Sequence, residues 1–89
     1  MVHIIKRKKH KQPFDERKLY ASIYAACLSA HTSKEEAEVT SNLVSREVKK
    51  WLDKKEEVTS DQVFKKATEE LYPLNKDASF MYKTHRDLS

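Results

Sequence analysis

The sequence predicts an α+β fold that is mostly helical: a short β-hairpin with a brief third strand beside it, and four helices. Three observations predict it. Apolar residues recur at helical spacing in four successive stretches, β-branched Ile4-Ile5 sits in a short opening segment, and Asp, Ser, Thr or Asn stands at the head of the helical stretches. At 89 residues the chain reads as one domain, 1–89, with room for one core.

His3 to Arg7 reads as a strand because its centre is β-branched. A reversal through Lys8-Lys9-His10 would return Lys11 to Phe14 as a second strand, although no glycine marks the turn. Asp15 is a suitable N-cap for the first helix, since its carboxylate accepts from free N–H groups in the first turn. Phe14 at N′ and Leu19 at N4 have the spacing of a hydrophobic staple. Leu19, Ile23, Ala26, Cys27 and Ala30 then form one apolar face, so Cys27 is expected in the core.

Ser33 with Glu36 predicts a capping box and a helix to about Lys54, roughly 30 Å long, with Val44, Val48, Trp51 and Leu52 on one face. Glu57-Val58-Thr59 is expected to be extended and to lie beside the hairpin. Thr59 with Gln62 predicts a second capping box, and Val63, Ala67 and Leu71 follow at helical spacing until Pro73 stops the helix. Asn75 or Asp77 can cap a last helix carrying Ala78, Met81, Tyr82 and His85. No linker, repeat or low-complexity tract interrupts this order.

Charge is distributed unevenly. The chain carries 18 Lys+Arg against 14 Asp+Glu, and five of the cations (Lys6, Arg7, Lys8, Lys9, Lys11) fall in the first twelve residues, which hold no acid. Beyond Gln12 the balance is 13 against 14, so the +4 excess belongs to the N-terminal arm. An anionic ligand is therefore sought there.

Composition excludes several classes. There is no glycine, so phosphate-cradling P-loops, dinucleotide-binding turns and the glycine-bearing loops of KH and RRM modules are ruled out. Cys27 is the single cysteine, which excludes an intrachain disulfide and fits a reducing cytoplasm. His3, His10, His31 and His85 are scattered without metal-ligand spacing, and a thiol on a buried stripe is inert packing. No apolar run is long enough to span a bilayer. The expectation is a cytoplasmic protein with no enzymatic activity, no metal and no membrane partner.

Ile4-Ile5-Lys6-Arg7, Pro13-Phe14-Asp15, Lys18-Leu19, Ser22-Ile23, Val58-Thr59-Ser60, and Ala78-Ser79 with Tyr82 and Arg86 together resemble the ATP-cone domain. That family occurs at the N-terminus of many ribonucleotide reductase large subunits and in the repressor of ribonucleotide reductase genes. The resemblance implies a small sheet capped by about four helices, and an allosteric site for ATP or dATP between the hairpin and the first helix. It implies that Lys6, Arg7 and Lys18 hold phosphates, that Phe14 and Asp15 lie against adenine, and that Leu19 and Thr59 line the cleft. Arg86 would reach the phosphates from the last helix, and Ile4 and Gln12 complete the set, with Mg²⁺ as an optional companion. Converging cations suit a polyphosphate, and aromatic and aliphatic neighbours suit a base.

The chain departs from the family pattern at Lys8-Lys9, where Asp-Gly is usual, at Gln12, where an acid is common, and at Val63, which replaces a polar residue able to serve the sugar. These changes make the site more basic and poorer in ribose hydrogen bonds. The sequence leaves open a cone that has lost nucleotide and serves protein interaction, and a small nucleic-acid-binding protein that uses the basic arm; the net −1 beyond Gln12 argues against the latter. Nothing follows the cone before Ser89, so it is expected to be free-standing or an excised piece, acting on a ribonucleotide reductase subunit, on another regulated protein or by self-association.

Overall fold

The computed structural model describes the backbone of residues 3–5 and 11–88, and the side chains of these except 5, 11–13 and 85–88. The described elements run β1 (His3–Ile5), β2 (Lys11–Pro13), α1 (Glu16–Ser29), α2 (Lys34–Leu52), β3 (Glu57–Thr59), α3 (Ser60–Leu71) and α4 (Lys76–Leu88). The fold is mostly helical α+β. The reversal expected at Lys8-Lys9-His10 lies outside the described residues.

The strands order as β2-β1-β3. β3 runs parallel to β1, with Ile4 opposite Val58 and Ile5 opposite Thr59. β2 runs antiparallel on the other side, pairing Ile4 with Gln12 and Ile5 with Lys11. Residues opposite one another share a face, and Ile4 and Val58 are both buried while their neighbours His3 and Glu57 are exposed. One face of the sheet thus enters the core.

Helix α1 packs against α2 and α4, and α3 closes the ring against the same two helices. Leu19, Ile23, Ala26 and Cys27 are buried as their spacing predicts, whereas Ala30 is the half-buried C-cap. α2 stops at Leu52, two residues short of the expected end, because Asp53 and Lys54 continue only as a turn. Its buried face holds Ala37, Ser41, Val44, Ser45, Val48 and Leu52, with Trp51 half-buried beside it. The two serines went unnoticed in the pattern because serine is polar; their hydroxyls find no partner among the described residues. Small side chains there let neighbouring helices approach.

Each helix start follows its capping residue. The Ser33 hydroxyl accepts from the Glu36 N–H at 3.2 Å, although no reciprocal bond from the Ser33 N–H to the Glu36 carboxylate is found among the described residues. Thr59 and Gln62 complete a reciprocal capping box at 3.1 and 2.9 Å. Asn75 takes the last cap: its Oδ1 accepts from the Ala78 N–H at 3.0 Å, while its Nδ2 donates to Thr32 Oγ1 at 2.8 Å. One side chain therefore caps α4 and ties the α3–α4 turn to the α1–α2 turn. Phe64 and Tyr82 stack at 5.0 Å and join α3 to α4.

The α1–α2 turn shows what the lack of glycine costs. The His31 N–H donates to Leu28 O and the Thr32 N–H to Cys27 O, both at 3.0 Å, which is the Schellman pattern at a helix end. That pattern needs a left-handed residue, and His31 supplies it at φ 64°. A Cβ in this conformation is strained. His31→Gly should raise stability by up to about 1 kcal/mol in urea unfolding, the relief being partly offset by the freer unfolded chain.

Burial pushes the Cys27 thiol pKa up, since the thiolate would be stranded in the core. The folded state therefore keeps its proton at pH values where the unfolded chain has lost it. Stability is unaffected below the thiol's ordinary range and falls as pH rises through it. Equilibrium unfolding against pH should show this fall in the parent and lose it in Cys27→Ser, and a thiol reagent should label Cys27 only as fast as the protein opens.

Candidate nucleotide-binding site

The site expected from the sequence lies where β2 hands the chain to α1. Asp15 is extended at φ −112° and ψ 103°, and its Oδ1 accepts from the Arg17 N–H at 2.9 Å and the Lys18 N–H at 3.4 Å. The carboxylate thereby fills the anion position at the head of α1. A phosphate could not take those donors without displacing it. The head of this helix therefore offers a ligand its side-chain cations rather than free N–H groups, as the N-cap expected at Asp15 requires.

Two cations stand there. Lys18 is exposed, and Arg17, which the pattern did not single out, is exposed with its Nε 3.8 Å from Asp15 Oδ1. Residue type alone could have flagged Arg17, one position before Lys18. Glu16 meets Lys49 Nζ at 3.5 Å, so the first turn of α1 is linked to the last turn of α2.

The apolar members divide by burial. Ile4 and Leu19 are each 6% exposed and belong to the core, which leaves a ligand only their edges. Phe14 is half-buried, packed on that core with part of its surface open. Val63 is likewise half-buried against the core, so its place in α3 is a packing position. Thr59 is exposed, with Oγ1 accepting from the Gln62 N–H.

Strand register sets the distances between these groups. Lys11 and Thr59 flank Ile5, whereas Pro13 flanks His3, so β2 delivers the chain to α1 from the His3 end. The two ends of β1 are about 7 Å apart. Lys6 and Arg7 lie outside the described residues, as do the side chains of Gln12 and Arg86, whose backbones belong to β2 and α4. The described geometry therefore sets Phe14, Asp15, Lys18 and Leu19 along the entry to α1, and keeps Ile4 and Thr59 in the sheet, Ile4 opposite Gln12 and Val58, and Thr59 opposite Ile5.

Among the described residues no group of three or more His, Cys, Asp or Glu is arranged to hold a metal ion, and no helix is long and apolar enough to cross a membrane. Comparison with curated proteins gave no match. The family model of the ATP cone domain, by contrast, matches residues 2–86, nearly the whole chain. The chain belongs to the ATP-cone family, regulatory domains that bind adenine nucleotides, ATP or dATP, as effectors.

Proposed function

We propose that this chain senses ATP or dATP in a cleft between the N-terminal strands and α1, and that residues 1–89 act as one regulatory domain. The observation that carries the reading is the family match over residues 2–86. Charge supports it as well, because the cationic excess lies in the arm that leads into this region.

In this reading Lys6 and Arg7, which follow Ile5 directly in the chain, hold the phosphates near Thr59. Lys18 adds a cation from α1, and Arg86 a further one from α4. Phe14 offers its open face to the base, with the edges of Ile4 and Leu19 beneath, and Asp15 or Gln12 reads the base edge. Asp15 also keeps the head of α1 negative, which favours placing the polyphosphate toward the arm and the base toward the helix. Mg²⁺, where present, travels on the phosphates. The regulated partner would be a ribonucleotide reductase subunit or another protein under nucleotide control, in the cytoplasm.

Thermal and urea unfolding with ATP, dATP, AMP and a short DNA duplex tests the reading. ATP or dATP at about 100 times its Kd should add roughly 2.7 kcal/mol of stability, with AMP and duplex adding much less. Stabilisation by the duplex alone would replace the sensor with a nucleic-acid-binding protein, and stabilisation by none would leave a protein-interaction module. Lys6→Ala and Lys18→Ala should abolish the nucleotide effect and keep the fold. Leu19→Ala should instead cost about 2–5 kcal/mol with or without ligand, through a core cavity. Wild-type ATP binding by both lysine variants would show that the site is elsewhere.

A further inference from the structure

Helix α2 has a second ordered face, opposite the one that enters the core. Glu35, Val39, Leu43, Arg46 and Lys50 follow at i, i+4, i+8, i+11 and i+15 and are all exposed. Val39 is 58% and Leu43 41% exposed, at the centre of the helix. Around them the charge is polarised in balance: Lys34, Glu35, Glu36 and Glu38 leave the N-terminal half net −2, and Arg46, Glu47, Lys49 and Lys50 leave the C-terminal half net +2. The helix dipole favours that polarity but gives no reason for two outward aliphatic side chains between the charges. Glu35 and Arg46 have no side-chain partner among the described residues, whereas Lys49 and Lys50 pair with Glu16 and Glu47.

A surface with an apolar centre, acid at one end and base at the other is complementary to itself when turned end for end. We propose that α2 pairs antiparallel with α2 of a second copy of this chain, about a twofold axis level with residue 41. Val39 then packs on Leu43 of the partner subunit, twice by symmetry. Glu35 falls on the same flank as Arg46 of the partner subunit, about one residue rise from level with it. The opposite flank brings Glu36 toward Glu47 of the partner subunit, an exposed like-charge contact that solvent screens and that Lys50, 3.5 Å from Glu47 on its own helix, offsets in part. Two Val–Leu layers bury far less than the about 1,200 Å² of a stable interface, so the dimer is weak and fast-exchanging. The face lies on α2 alone and needs no nucleotide.

Sedimentation equilibrium of the nucleotide-free chain, from about 10 µM to about 1 mM, tests this. The parent should self-associate across that range and Leu43→Asp should stay monomeric. Glu35→Arg and Arg46→Glu alone should each weaken association about tenfold, as two attractive contacts become repulsive. Their equimolar mixture should recover it, because each pair is then again of opposite sign. A parent that stays monomeric at the highest concentration, a Leu43→Asp variant that associates like the parent, or a mixture no better than its components would overturn the proposal. Circular dichroism of each variant checks that the exposed substitutions leave the helices intact.

Discussion

Burial of one face of α1 organises the molecule. Leu19, Ile23, Ala26 and Cys27 lie on a helix packed against both α2 and α4, and the core they enter also receives Ile4 and Val58 from the sheet. A chain this short has little apolar surface to spare, so a helix packed against two others also constrains where they sit. The angle at which β2 meets α1 follows from the same requirement, because Phe14 packs on the core just before the cap. The cleft proposed at that junction would thereby rest on a packed helix rather than on a free loop.

The cap at Asp15 gives that junction its electrostatic character. Its carboxylate satisfies two first-turn donors and so removes the anion site that a bare helix start would offer. In the proposed site a nucleotide would meet side chains: cations on long stems, an aromatic face and aliphatic edges. Proteins that use glycine bring backbone N–H groups up to phosphate, and this chain, with none, would have to rely on lysine and arginine instead. The same lack of glycine leaves His31 in a left-handed conformation at the end of α1.

Helix α2 has two distinct faces. Its inner stripe of Ala37, Ser41 and Ser45 is small, which permits close helix packing at the expense of two hydroxyls without described partners. Its outer face keeps Val39 and Leu43 in solvent. The inner face defines the fold of one chain, and the outer face is the one proposed to meet a second copy.

By itself the sequence determined the helices, the caps at Asp15, Ser33 and Thr59 and most of the core, because spacing at 3.6 residues and the chemistry of capping side chains are local properties; between Asn75 and Asp77 for the last cap the structure chose Asn75. The sequence also located the cationic excess and carried the family motif. Only the tertiary structure decided which side of β1 each neighbouring strand takes, that Asn75 reaches Thr32 across 43 residues, and that Glu16 meets Lys49. It alone showed that Ile4 and Leu19 are buried to 6% exposure, and that the Arg17 Nε lies 3.8 Å from Asp15 Oδ1. The physical reason is common to these cases. Periodicity tells which face of an element is apolar, but burial and pairing depend on which other surfaces arrive there, and that is settled by the packing of the whole chain.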